Sequence, residues 1–280
     1  MSDLIAAVIK TRKSAEQITI NSLENIAGIS ELALKEKILV ESATHGELFP
    51  KGWYDPPEGG VAVLFDQKPF KRLRFETLRN SLSWPTSTSY FNTESVGMVY
   101  LSPVDRETKI LGDIGFTIYG GNDEKVKEHI KKCYGLIVSI AKHAQVGMKF
   151  SDLYQYGEGL LQDSIKIIGW MVTTSSNPSG YNFGHTVPGS FGNDINFPNS
   201  FEEIKDVIRN ERTYINEIEN FIIPETCAFT VEIRLGNPDD ENLPSVFFHF
   251  MVCFEKGKKT IMEGFEEIFN KVGMEWMNIK

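Results

Sequence analysis

Two apolar-rich runs, Val99-Tyr100-Leu101-Ser102 and Gly112-Asp113-Ile114-Gly115-Phe116-Thr117-Ile118-Tyr119, flank the charged stretch Asp105-Arg106-Glu107-Thr108-Lys109. The pattern predicts a β-hairpin with its turn in the charges. Asp113 falls where the second strand begins, after a glycine that permits a tight turn. Alternation along a strand puts its side chain on the face shared by Gly115, Thr117 and Tyr119. A carboxylate in such surroundings costs free energy unless a cation or a hydrogen bond answers it. His185 in Tyr-Asn-Phe-Gly-His, Glu232 in Phe-Thr-Val-Glu and His249 in Phe-Phe-His-Phe are candidate companions.

The remaining pattern is mixed helix and strand. Ser14-Ala15-Glu16-Gln17 reads as a capping box opening a helix to Ala27,. Ser30 caps a second helix, residues 31–45, which Gly46 ends,. Residues 47–60 carry Pro and Gly around Trp53 and Tyr54 and predict a loop, followed by a strand over Val61–Phe65,. Residues 75–91 fit neither period, and Trp84-Pro85 implies an irregular turn,. Asp123 caps a third helix, in which Val126, Ile130, Cys133, Ile137, Ile140 and Ala144 form a core stripe,. Ser151 caps a fourth helix, residues 152–169, before a long Gly/Ser/Asn/Pro-rich loop over 174–200 that contains His185,. Ser200-Phe201-Glu202-Glu203 opens a charged helix running to Asn220,. Strands come next at 228–235 and 246–254, with a turn at 236–240, and an amphipathic helix spans 262–277.

Composition narrows the classes. With 280 residues and 41% apolar content the chain can bury a sizeable core,. Its net charge of −9 argues against nucleic-acid binding, which favours basic patches,. No stretch reaches the roughly 20 apolar residues of a membrane span, and the start lacks signal-peptide form,. Cys133, Cys227 and Cys253 lie in apolar runs at no metal-binding spacing and read as reduced,. The expectation is a cytoplasmic protein with neither nucleic acid nor membrane as partner.

Several motifs, in order along the chain, resemble one family: the pita-bread fold of methionine aminopeptidases, Xaa-Pro aminopeptidases and creatinase. Residues 9–18 resemble its entry into the first helix. Gly28-Ile29-Ser30-Glu31-Leu32 and Gly147-Met148-Lys149-Phe150-Ser151-Asp152-Leu153 resemble its helix-linking turns. Gly112-Asp113-Ile114, Phe183-Gly184-His185 and Phe229-Thr230-Val231-Glu232 resemble its metal-ligand motifs. The resemblance covers most of residues 9–280. It implies an α+β fold of two pseudo-equivalent halves, with a curved antiparallel sheet and helices on its outer face. One such domain over 1–280 is expected, without the N-terminal domain of creatinase, and a homodimer by analogy.

The resemblance further implies two metal ions held by Asp, Asp, His, Glu and Glu, and here that set is incomplete. Asp113, His185 and Glu232 match ligand positions. Ser102 stands where the first Asp should be, and the last Glu falls at Phe248 or His249. Trp84 and Gly192 replace substrate-contacting histidines, and Ile233 replaces the Pro after the first Glu. A hydroxyl cannot bridge two dications, so the resemblance implies a single divalent ion, Fe, Mn or Zn, on Asp113, His185, Glu232 and His249. Arg234, alternating with Thr230 and Glu232, could grip a substrate carboxylate, with Trp84 and Ser102 nearby, or could simply pair with Glu232. Each candidate also has a structural reading. Asp113 could cap a turn, His185 could bond backbone, His249 could be a core histidine, and Ser102 reads as a remnant rather than a nucleophile. The leading expectation is a divergent metalloenzyme acting on a small amino-acid-like or carboxylate-bearing molecule, by hydrolysis or by oxygen chemistry. The alternatives are a metallo-aminopeptidase with substituted ligands, a metal-free creatinase-like hydrolase using His185 as acid and base, and an inactive binding scaffold.

Overall fold

The computed structural model describes residues 2–55, 57–75, 77–164, 168–169, 182–191 and 195–278. Its first half packs helices α1 (Ser2–Ser22) and α2 (Glu31–Thr44) beside strands β1 (Val61–Asp66), β2 (Val96–Leu101) and β3 (Ile114–Tyr119). The expected hairpin is β2–β3, antiparallel, with Leu101 opposite Ile114 and Tyr100 opposite Gly115. β1 joins the other edge of β2. All three strands are buried almost throughout, because helices cover one face and the second half of the chain meets the other.

The second half contains α3 (Glu124–His143), α4 (Phe150–Asp163), β4 (Ile168–Gly169), α5 (Phe201–Asn210), β5 (Cys227–Val231), β6 (Arg234–Gly236), β7 (Val246–Phe247), β8 (Phe250–Glu255), β9 (Lys258–Met262) and α6 (Glu266–Lys271). All strand pairs are antiparallel. Residues 246–255 form the seam between halves. Along one side they pair with residues 227–235; along the other they pair first with β3, through Phe116–Phe248, and then with β9. The His249 N–H donates to Gly115 O at 2.8 Å, tying this seam to the hairpin.

Several boundaries differ from the sequence expectation. α1 begins at residue 2, so Ser14 lies inside it and its hydroxyl donates to Glu47 rather than capping. The stripe Ile5, Val8, Arg12, Ala15, Ile18 is buried from the outset, and the charge of Arg12 hid it,. α4 starts at Phe150 with Lys149 before it, Ser151 lies within the helix, and the helix stops at Asp163. The strands expected at 228–235 and 246–254 each break in the middle, at Glu232-Ile233 and at Phe248-His249. The C-terminal helix shrinks to α6: β9 runs through Met262, and Gly264 and Gly273, both at positive φ, bound the short helix on either side,.

The largest difference concerns His185. Residues 183–187, expected in a long loop, run as an extended segment between two others. Val187 and Thr230 N–H donate to Ala228 and His185 carbonyls on one side; Phe183 and Thr186 N–H donate to Ile215 and Thr213 on the other. α5 therefore stops at Asn210 instead of reaching Asn220, because residues 213–215 are needed as the outer partner of this segment. Among the described residues no helix is long and apolar enough to cross a membrane.

Gly184 makes the close approach possible. Its φ is +149°, and a Cβ there would stand 2.0 Å from Thr230 O. Gly184→Ala is expected to destabilise the protein by roughly 2–4 kcal/mol, from strain plus overpacking. Urea unfolding measures this; a loss within error of zero would mean that the segment does not pack on β5.

Candidate functional site

The two strand breaks coincide with two of the candidate side chains. Glu232 lies just past β5 and His249 between β7 and β8, where the paired strands bend together. Thr230, on the same face as Glu232, donates its hydroxyl to Glu232 Oε1 at 3.2 Å and accepts the His185 backbone N–H at 3.0 Å. One threonine thus sets the positions of both groups. His185 Nε2 then stands 3.1 Å from Glu232 Oε1, and His249 Nε2 stands 3.1 Å from Oε2. The carboxylate is bracketed by an imidazole on each oxygen.

Glu232 and its two histidines are almost wholly enclosed. Burial alone would push the Glu232 carboxyl up, but His249 and His185 outweigh it by charge and contact and hold it well below the usual carboxylate range,. His185 Nδ1–H donates to Thr186 O at 2.9 Å, which fixes the ring,. Its other nitrogen faces a carboxylate oxygen, so a proton must lie between two groups that would otherwise both accept. His249 has the opposite tautomer. Its Nδ1 faces Arg12 Nη1 at 3.4 Å, and a guanidinium can only donate,. In the neutral ring Nδ1 is therefore placed to accept, with the proton on Nε2,. That nitrogen, though 3.1 Å from Oε2, meets it off the bonding axis and has no hydrogen bond among the described residues.

Arg12 was not legible as a site residue, although a charge inside an apolar helical stripe was a signal. It is fully buried. Nη2 donates to His249 O at 2.9 Å and to Glu263 O at 3.2 Å, Nη1 donates to Asp113 O, and Nε reaches Glu16 at 3.2 Å. Gly112 lets α1 come this near: a Cβ there would be 2.5 Å from the Thr11 carbonyl carbon.

Asp113 is also fully buried, and each oxygen already has a donor. Trp53 Nε1–H reaches Oδ1 at 2.8 Å and the Tyr100 hydroxyl reaches Oδ2 at 2.9 Å. Burial raises its pKa, against the pull of His249, His185 and Trp53. Burial, reinforced by Asp113, lifts the Tyr100 phenol well above its usual value, so Tyr100 stays a donor. Trp53 is delivered by Ser102. The Ser102 hydroxyl donates to Gly60 O at 3.0 Å and accepts Tyr54 N–H at 3.1 Å, while its carbonyl accepts Trp53 N–H at 2.9 Å. Ser102 is a fully buried strut for the loop over 52–60.

Arg234 and Trp84 are the remaining described candidates. Arg234, on β6 beyond the break, is buried with its guanidinium 3.9 Å over the Phe75 ring, and burial lowers its pKa to about 10. Trp84 is 37% exposed; its indole donates to Leu78 O and its carbonyl accepts from Arg72. Gly192 lies outside the described residues.

Among the described residues no group of three or more His, Cys, Asp or Glu side chains is arranged to hold a divalent ion. Two local features bear on this. Ligation through His249 Nε2 would move the ring proton to Nδ1, against Arg12,. Both oxygens of Asp113 face protons of Trp53 and Tyr100.

No family model matches the sequence, and no curated protein matches it either. Solved structures match in shape. The X-Pro aminopeptidase of Thermotoga maritima superposes with a TM-score of 0.63 at 12% identity, over 93% of this chain and 61% of that one. The prolidase of Pyrococcus horikoshii gives 0.65 at 13%, over 93% and 62%. The methionine aminopeptidase of T. maritima gives 0.60 at 13%, over 91% and 96%. The chain thus spans about three fifths of the first two and nearly all of the third. The fold is the α+β pita-bread fold of the aminopeptidases.

A carboxyl with a depressed folded-state pKa stabilises the fold above its unfolded value, and that stability is lost as pH falls through the folded pKa. The stability gap between wild type and Glu232→Gln should therefore persist from neutrality to the ordinary carboxylate range, about pH 4.5, and shrink below it. Urea unfolding across pH measures the gap; one that stays constant far into acid would refute an ionised Glu232.

Proposed function

We propose that this aminopeptidase-fold protein is a metal-independent hydrolase of a small carboxylate-bearing, amino-acid-like molecule, with Glu232 and His185 as its base and acid. The observation that carries the reading is the bracketing of Glu232 by two imidazoles, one of them locked by Arg12. Ionised Glu232 can take a proton from a water attacking an amide-like carbon. Protonated His185 can give its Nε2 proton to the departing nitrogen. The C–N bond breaks, the water oxygen joins the carbon, and transfer of the proton from Glu232 to His185 across 3.1 Å restores the pair. The Nε2–H of His249, without an acceptor among the described residues, is the donor available to the oxygen that gains charge,.

A second reading, one Fe, Mn or Zn ion on Asp113, His185, Glu232 and His249, is favoured by the same unbonded His249 nitrogen. Elemental analysis of protein purified without chelator separates the two. The metal-independent reading expects no stoichiometric metal, before or after incubation with Fe, Mn and Zn. It also expects turnover of N-acyl or amidino carboxylates that survives chelator and is lost in Glu232→Gln and His185→Asn. One equivalent of bound metal, lost in Asp113→Ala and Glu232→Ala, would replace it with the second reading.

A further inference from the structure

The wall of aromatic rings around the Glu232 cluster carries two arginines that have no acid to answer them among the described residues. Arg212 lies with its guanidinium 4.6 Å over Trp53 and 5.3 Å from the Tyr214 ring centre. Arg79 lies 4.6 Å over Tyr54. Trp53 and Tyr54 meet edge to face at 5.6 Å, and both Trp53 and Tyr214 adjoin the His185 ring, at 6.4 and 6.2 Å. The two guanidiniums are thus held on the same wall that touches the acid–base pair. Neither has a carboxylate within 4.0 Å among the described residues. Their polar contacts are backbone carbonyls, Asp55 O at 2.7 Å for Arg79 and a marginal 3.5 Å to Arg209 O for Arg212.

Arg79 Nη2 and Arg212 Nε are buried without a hydrogen bond among the described residues. A buried donor of this kind is costly unless something accepts from it. Scarcity of acids does not explain this, since the chain has 38 Asp and Glu against 29 Lys and Arg. Elsewhere Arg72 pairs with Glu31 and Arg209 with Asp206. Arg234 adds a third positive charge in reach of Tyr54. Stacking on rings holds a guanidinium plane fixed while its edge stays open to a flat two-oxygen partner.

We infer that the substrate is a small dicarboxylate, with one carboxylate on Arg79 and the other on Arg212. This rests on the cleft being the substrate site, as proposed above, and adds two specificity residues and a charge of two to that proposal. The bidentate fork of each arginine matches a carboxylate.

The test is binding without turnover. Succinate, glutarate, inorganic phosphate and glycine are titrated calorimetrically into wild type, Arg79→Gln, Arg212→Gln and the double variant. Melting curves verify folding, and both side chains are only partly buried. Succinate or glutarate should bind more tightly than glycine, and each single variant should weaken that binding by about tenfold or more. Should the dicarboxylates bind no better than glycine, or the double variant bind them as wild type does, the inference fails. Phosphate binding more tightly than either dicarboxylate would also overturn it, in favour of a phosphate-bearing ligand. Because no catalysis is read, failure here leaves the Glu232–His185 chemistry standing. Conversely, a bound metal ion with intact dicarboxylate binding would remove that chemistry alone.

Discussion

A carboxylate shut away from water has to be matched by protons or by a cation, and the interior of this protein is arranged around that requirement at Glu232. Its oxygens meet one imidazole each, and attraction to both rings exceeds the cost of burial. The strands that carry Glu232 and His249 give up regular pairing at those residues, while the segment bearing His185 is laid in as an extra extended element against β5. The backbone irregularities therefore track the electrostatics: where the sheet breaks, a charge is being positioned.

Two long-range anchors hold this arrangement. The first is Arg12, whose guanidinium reaches from α1 to the carbonyls of Asp113 and His249 and faces a ring nitrogen of His249. By donating only, it decides which nitrogen of that histidine keeps its proton. The second is Ser102, which holds the loop over 52–60 so that the Trp53 indole donates to Asp113. The hydroxyl stands at the position where the family resemblance implies a metal ligand, and here it bonds the backbone of Gly60 and Tyr54. Through it, a tryptophan supplies one of the positive ends of dipoles that the Asp113 charge requires.

One fold can carry many functions. The chain retains the shape of the aminopeptidases over more than nine tenths of its length at 12–13% identity. Much of the apolar core lies in the β1–β2–β3 sheet and in the α3 stripe of Val126, Ile130, Cys133, Ile137 and Ile140. Around the site lie aromatic rings with arginines stacked on them.

Short-range physics accounts for the features that were legible in the order of residues alone. Alternation of apolar residues specified the hairpin of β2 and β3. Helical spacing specified the buried face of α3, and Ser30 and Asp123 capped the helices they precede. Glu232 inside an apolar run demanded a partner, and its neighbours in space are the two histidines singled out from the chain. Which other groups join them was open until the chain was packed. Arg12 lies 101 residues before Asp113 and 237 before His249, and Trp53 lies 60 before Asp113, distances over which no local pattern operates. The same holds for the early end of α5, where residues 213–215 leave the helix because a segment brought from elsewhere needs their hydrogen bonds. A hydrogen-bond donor or a charge has no period. Its place in a site depends on which segments the packed core brings together, and that is settled only when the whole chain has folded.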